Sequence, residues 1–334
     1  MFRIISTIKL FKMTSSIFFK AVIVFSLLAG ISGCQKEDNP EVSIPYHEVL
    51  KQITYTNTVN FSTGLNALLD TVLVDSTDRA HFCQTFLQHA RFFDDGSGYL
   101  FIESMSGYNI VHPQHPDLQG TYSLDQTDAY GNHIVRTMND IVRHTGYGYL
   151  RYDYLNPSSG AVESKTTFVT AIPNTNWFAG SGFYHAGNEP YFSNDEKNEK
   201  EVVEAVNFMG KGIAAMLPTF GNDSLGAVAW MCKFLRNIRF FEDRSGYFFV
   251  LDYRGYNVVQ PPEPAREGNY QWDMQDSRGN YLMRGLIDKA REGGGFYSYY
   301  WMDYQTNTEK LKNAYVIPVP GYDYLIGSGV YYPD

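Results

Sequence analysis

The sequence predicts two consecutive α+β domains, each built on an antiparallel sheet. The first observation is a duplication: residues 91–113 align without a gap with residues 239–261, and thirteen of the 23 aligned residues are identical. A duplicated unit of this length is a domain and not a solenoid repeat. The second observation is that short turns join aromatic-rich strands beside helical segments after each copy, which is typical of an α+β fold.

Each repeat is predicted to begin with helical segments, about 59–91 and 202–239, because apolar residues recur there at three- and four-residue spacing. Asp75 and Pro218 mark an expected break in each. The elements that follow are hairpins around Gly107 and Gly255, short helices opened by Asn132 and Asn280, and strands at about 148–155, 166–173, 177–184, 295–302, 313–320 and 324–331.

The first 33 residues have the features of a secretion signal, since a lysine precedes a short apolar run that ends in small residues. The Ile-Ser-Gly-Cys sequence that ends at Cys34 resembles a bacterial lipobox, which implies cleavage before Cys34 and diacylation of its sulfur. Translation starts at Met1 or Met13. We expect a signal peptide at 1–33, a polar tether at 34–45 and domains at 46–190 and 191–334.

Charge and hydropathy exclude several classes of partner. Four of the 27 basic residues and none of the 36 acidic residues lie in 1–33, so the remaining chain carries 23 basic against 36 acidic groups. Nucleic acid and anionic bilayer surfaces need a basic footprint, so neither is an expected partner. We expect membrane attachment through the lipid alone, because no other stretch is apolar over about 18 residues.

The ordered motifs of both repeats resemble the Cache family of extracytoplasmic sensor domains, in its single-module type. Each repeat contains Arg-x-x-x-Asp-x-Ser-Gly-Tyr-x-Phe, later an Asp-x-x-Gly turn, a Lys three residues before an aromatic residue, and a closing Gly-Ser-Gly-x-Tyr strand. The series covers about residues 60–186 and 208–334. The resemblance implies a PAS-like five-stranded antiparallel sheet with a long N-terminal helix in each domain.

A positively charged, aromatic pocket is the site that both repeats share. One Arg and one Lys beside a Tyr- and Phe-lined sheet would suit a small carboxylate, and small organic acids and amino acids are the usual ligands that the resemblance implies. The alternative is that Arg91 pairs locally with Asp95 and that Lys165 is a solvated edge residue. The candidate ligand-binding residues are Arg91, Phe101, His112, Tyr152, Tyr154 and Lys165, and then Arg239, Phe249, Tyr299, Trp301 and Lys312.

His112 is the clearest difference between the repeats, because the second carries Gln260 there. A neutral imidazole could donate to a ligand carboxylate, or the ring could bond to the loop backbone; on the first interpretation the first repeat is the better acid binder. His112 and His115 have no ligand pair at the equivalent positions of the second repeat, so no metal site is predicted. No nucleophile–base pair and no cofactor loop are recognisable either, so neither an enzyme nor a cofactor is expected.

We therefore expect a lipid-anchored ligand-binding and sensory protein in the envelope of a Gram-negative bacterium, in the outer membrane with a periplasmic or surface face. The chain ends at Asp334, directly after the last predicted strand. Its binding state would therefore pass to a separate protein, which the sequence does not identify. The alternative is an interaction or scaffold protein whose two domains bind no small molecule.

Overall fold

The structure, a computed structural model, describes residues 43–69, 71–185, 187 and 189–332. The helices are α1 (Tyr46–Leu68), α2 (Ser76–Leu87), α3 (Ile134–Thr145), α4 (Asn194–Met216), α5 (Ser224–Leu235) and α6 (Leu282–Arg291). The strands are β1 (Ile44–Pro45), β2 (Leu100–Ser104), β3 (Asn109–Val111), β4 (Tyr147–Leu155), β5 (Val162–Ala171), β6 (Trp177–Tyr184), β7 (Tyr191–Phe192), β8 (Phe249–Asp252), β9 (Asn257–Val259), β10 (Gly295–Asp303), β11 (Thr308–Pro318) and β12 (Tyr324–Tyr331). The first repeat runs from α1 to β6 and the second from α4 to β12.

Each repeat forms a five-stranded antiparallel sheet, with the order β3-β2-β6-β5-β4 in the first and β10-β11-β12-β8-β9 in the second. The predicted α+β class is confirmed. Ile44 and Pro45, which the sequence analysis assigned to the tether, instead pair with β7. The predicted signal peptide and Cys34 lie outside the described residues. Within the described ranges, no helix combines the length and apolar character needed to cross a bilayer.

The predicted interruptions are helix boundaries with a physical cause. Asp75 caps the N-terminus of α2 by accepting hydrogen bonds from the backbone N–H groups of Thr77 and Asp78. Asp223 caps α5 in the same way, at the position 148 residues later. A short 3-10 turn, Leu217–Phe220, carries the chain between α4 and α5.

The prediction that the first helix begins near residue 59 is wrong, because α1 begins at Tyr46. Threonine, a β-branched residue with modest helix propensity, hides the helical pattern there. The buried hydroxyls of Thr54 and Thr58 donate to the carbonyl oxygens four residues earlier, at 2.7 and 2.8 Å. The helix therefore buries threonines on a face where apolar residues were expected.

The two faces of each sheet contribute to different cores. In the second repeat, Phe248 and Val250 face a core that α1, α2, α4 and α5 share between the repeats, whereas Tyr247, Phe249 and Leu251 face α6. The first sheet has the same alternation, with α3 covering its outer face. The space between the sheet and its short helix is therefore the equivalent location in both repeats.

Reciprocal contacts between glycine and phenylalanine join the repeats. An added Cβ at Gly64 of α1 would lie 2.5 Å from the ring of Phe234, and one at Gly212 of α4 would lie 2.1 Å from the ring of Phe86. These two pairs are related by the 148-residue offset. The arrangement is that of a symmetric dimer interface within a single chain.

Gly212→Ala is expected to lower the free energy of unfolding by about 1–3 kcal/mol, because the new methyl group overlaps the Phe86 ring and outweighs the gain in helix propensity. Urea denaturation measures the change. In a Phe86→Leu background, which makes room for the methyl group, the same substitution should cost less. Additive effects of the two substitutions would contradict the proposed contact.

Candidate functional site

Each repeat buries one lysine beneath the outer face of its sheet. Lys165 in β5 and Lys312 in β11 are 1% and 0% exposed. The Lys165 ammonium donates to the hydroxyl of Tyr99 at 3.0 Å, and the Lys312 ammonium donates to the hydroxyl of Tyr247 at 2.9 Å. The alternative that Lys165 is a solvated edge residue is therefore wrong.

Aromatic rings surround both ammonium groups. The Lys165 nitrogen lies 4.3 Å from the ring centre of Tyr99 and 4.9 Å from that of Tyr184, and the Lys312 nitrogen lies 4.0 Å from that of Tyr247. Among the described residues, neither lysine forms an ion pair with a carboxylate. Burial lowers the pKa of Lys165 to about 7. A nearby anion would compensate each buried charge.

A cavity of about 40 Å³ lies between the second sheet and α6. Tyr247, whose hydroxyl accepts the hydrogen bond of the Lys312 ammonium, belongs to its wall, and Lys312 itself lies behind that residue. The amides of Asn257, Gln260 and Gln271 supply polar atoms. The other lining residues are apolar or aromatic: Phe249, Leu251, Met274, Leu282, Met283, Leu286, Tyr299 and Trp301.

The first repeat places a carboxyl group at the equivalent position. Glu103 corresponds to Leu251 and is 2% exposed. It accepts hydrogen bonds from the amide of Asn109 at 2.8 Å and from the hydroxyl of Ser123 at 2.9 Å. Burial raises the pKa of Glu103 to about 7, although these hydrogen bonds oppose the shift. Both strands have a register irregularity at this residue, which is common beside functional sites.

His112 is buried beside this carboxyl-bearing site in a neutral state. Its ring stacks on Phe101 with 6.0 Å between ring centres, and its Nδ1 accepts a hydrogen bond from the His115 backbone N–H at 3.1 Å. Burial, together with the charges of His115 and Lys165, lowers the pKa of His112 to about 3. The imidazole thus bonds to the loop backbone, which is one of the two roles predicted for it.

The structure brings most of the predicted ligand-binding residues to these two locations. Phe249, Tyr299 and Trp301 line the cavity of the second repeat. Phe101, Tyr152 and Tyr154 belong to the equivalent cluster that packs against α3.

The two predicted arginines are not at the cavity. The Arg91 guanidinium donates to the last carbonyl groups of α2 and, at 3.1 Å, to the carbonyl of Pro113. Arg239 donates to the carbonyls of Arg236 and Ile238. Both therefore satisfy helix-end carbonyl groups, as cationic side chains commonly do at helix C-termini. The local Arg91–Asp95 pairing considered above is likewise absent among the described residues.

Sequence reasoning missed Tyr99, Tyr247 and Glu103. The two tyrosines are identical in the Ser-Gly-Tyr motif, so the signal for a shared role was present. Glu103 opposite Leu251 was visible as a charged-to-apolar difference inside the aligned segment. Neither signal could be assigned to a site from the sequence, because the sequence does not show which sheet face these residues occupy.

Two family models match this chain. The model of the Cache domain matches residues 82–210, and the model of Single Cache domain 2 matches residues 223–334. The chain thus carries two tandem Cache domains, which are extracytoplasmic sensory ligand-binding domains. They are related to the ligand-binding domains of chemoreceptors and histidine kinases.

Particular relatives include the sensor histidine kinase MctS of Rhizobium johnstonii, which is 30% identical over 136 residues. That match covers 41% of this chain and 29% of the kinase. A methyl-accepting chemotaxis protein from Vibrio parahaemolyticus is 30% identical, with a TM-score of 0.35, over 40% of this chain and 88% of that structure. A Cache chemosensory domain described for carboxylic acid recognition is 20% identical, with a TM-score of 0.38, over 42% and 94%.

Lys165→Met is expected to change how stability depends on pH. Because the pKa of Lys165 is lowered to about 7 in the folded chain, the unfolded chain binds more protons at this group between about pH 7 and its ordinary value of 10.5. The free energy of unfolding that Lys165 contributes therefore rises with pH in this window. Urea denaturation at about pH 7 and 9.5 should show a smaller rise in the variant. The partly exposed Lys289→Met serves as the control, and an unchanged rise in Lys165→Met would contradict the assignment.

Proposed function

We propose that this chain is an envelope sensory protein whose second repeat captures a small carboxylic acid. The observation that carries the proposal is Lys312, a fully buried cation whose hydrogen bond to Tyr247 links it to the wall of an adjacent cavity. A ligand carboxylate would supply the ion-pair partner that Lys312 does not have among the described residues.

The chemistry of the cavity wall supports an acid as the ligand. The Tyr247 oxygen accepts from Lys312, and its hydroxyl still carries one O–H that a ligand carboxylate can accept. The amides of Gln260 and Gln271 offer further donors, and Met283 and Leu286 enclose an apolar remainder. A volume of about 40 Å³ accommodates about three or four water-sized groups, which favours acetate- or propionate-sized acids.

The geometry favours the second repeat over the first as the acid binder, which is the reverse of the interpretation based on His112. In the first repeat, a ligand carboxylate would lie near the carboxyl group of Glu103, and above the Glu103 pKa of about 7 the two negative charges repel at close range. His112 is neutral and already bonded to the backbone. We therefore propose that the first repeat rejects simple acids.

The proposal includes attachment to the envelope. In it, cleavage before Cys34 and lipidation of that residue anchor the chain to the outer membrane of a Gram-negative bacterium. A protein partner then recognises the acid-bound second repeat. This recognition distinguishes the proposed function from that of a scaffold. No catalytic step is part of the proposal.

Acetate or propionate should raise the melting temperature of the purified full chain, whereas acetamide, a neutral molecule of similar shape, should not. A ligand present at 100 times its Kd stabilises the folded state by about 2.7 kcal/mol. Leu251→Glu, which copies the first repeat into the second, should abolish the response by placing a carboxyl group in the cavity. Differential scanning fluorimetry measures both effects.

Leu251→Met conserves the volume of the side chain and is the matched control, which should keep the response. A response to acetate that persists in Leu251→Glu would show that the acid binds elsewhere. If neither acid stabilises the wild-type chain, the acid-binding proposal fails and a scaffold function is favoured.

A further inference from the structure

A second, larger concavity lies between the repeats and shares no lining residue with the cavity beside Tyr247. We call it the inter-repeat groove; its volume is about 660 Å³, within the range of small-molecule sites. One wall consists of α1 and the adjoining strands β4 and β5, and the other consists of residues 237–244 of the second repeat. The walls include Tyr55, Asn60, Tyr149, Phe168, Arg239 and Arg244.

The duplication provides an internal comparison, because the equivalent location on the other side of the molecule is filled. There, Glu204 of α4 accepts a hydrogen bond from the backbone N–H of Phe93 at 2.8 Å. Phe208, from the same helix, packs edge-on against Phe92 with 5.8 Å between ring centres. Lys211 donates to the carbonyl of Arg91 at 2.8 Å.

The groove is open because α1 carries shorter side chains at the same three positions. The 148-residue offset matches Glu204 with Thr56, Phe208 with Asn60 and Lys211 with Thr63. All three of these α1 residues line the groove. The space that an acid, a phenyl ring and a lysine occupy on one side of the molecule is thus left unfilled on the other.

Two hydrogen-bond donors along the groove are without partners among the described residues. The backbone N–H of Phe241 is the equivalent of the Phe93 donor that binds Glu204, and it has no acceptor. Asn60 is 2% exposed, and its side-chain nitrogen has no hydrogen-bond partner. An unpartnered buried amide costs free energy unless a ligand satisfies it.

Arg244 adds a positive charge to the groove, although its backbone conformation is unfavourable for a residue with a side chain. Arg244 adopts the left-handed backbone conformation at φ 61°, where the first repeat has Gly96 at φ 69°. This conformation is unfavourable for a residue with a side chain, so Arg244 carries a backbone cost that glycine at the equivalent position avoids. With Arg239, two arginine residues line the groove, against one acidic lining residue, Glu242.

We propose that the inter-repeat groove binds an organic anion with one carboxylate and an aromatic body. The carboxylate takes the position that the Glu204 side chain has in the equivalent location and accepts from the Phe241 N–H. Asn60 and Arg244 provide further donors. The aromatic body lies against Tyr55, Tyr149 and Phe168. This site is independent of acid binding in the second repeat.

Phenylacetate is the probe, because it combines a carboxylate with a ring too large for the 40 Å³ cavity. Isothermal titration calorimetry of the full chain should show one site, with phenylacetamide binding at least about tenfold more weakly, since it lacks the charge. Asn60→Phe copies the filled side of the molecule and should weaken phenylacetate binding at least about tenfold. Arg244→Gly copies Gly96 and should weaken it at least about threefold without lowering the melting temperature.

Lys312→Met is the control for the other site: it should lose the acetate response and leave phenylacetate binding unchanged. Absence of saturable phenylacetate binding, equal binding of the amide, or unchanged affinity in Arg244→Gly would each overturn the proposal. Because Arg244 is exposed, that variant decides the question even if Asn60→Phe fails to fold.

Discussion

The rest of the structure depends on two reciprocal contacts, that of Phe86 with Gly212 and that of Phe234 with Gly64. A side chain at either glycine would separate the repeats, because the rings and helices already meet at van der Waals distance. The four helices around these contacts form a single apolar core that both sheets share. Much of the inner face of each sheet is therefore packed, and the cavity beside Tyr247 lies on the outer face of its sheet.

Duplication under this constraint allows the equivalent surfaces to diverge independently. On the outer faces, Leu251 leaves an apolar cavity near a buried lysine, whereas Glu103 brings a carboxyl group to the same position. Between the repeats, Glu204 fills one side and Thr56 leaves the other open. On the outer faces one residue difference changes the charge, and between the repeats three residue differences change both the charge and the available volume. The two repeats thus have the same fold and different chemistry.

Much of the fold was predictable because the two copies constrain each other. The strand Trp177–Tyr184 and the helix break at Asp75 follow from local pattern and capping chemistry. The burial of Lys165 did not follow, because a lysine is ordinarily exposed and only the sheet register places this one among tyrosines. Nor did the structural role of Arg91, whose carbonyl partners include one 22 residues away. The inter-repeat groove depends on tertiary packing, which local periodicity does not encode.

The position of a bound acid tests the central claim, that divergence left one repeat with an acid pocket. Isotope-edited NMR with ¹³C-labelled acetate detects protein protons close to the acetate methyl group. The account predicts nuclear Overhauser contacts to the methyl groups of Met283 and Leu286, which line the cavity between the second sheet and α6. Contacts to Met138 of the first repeat, or saturable binding without contacts to Met283 and Leu286, would contradict it.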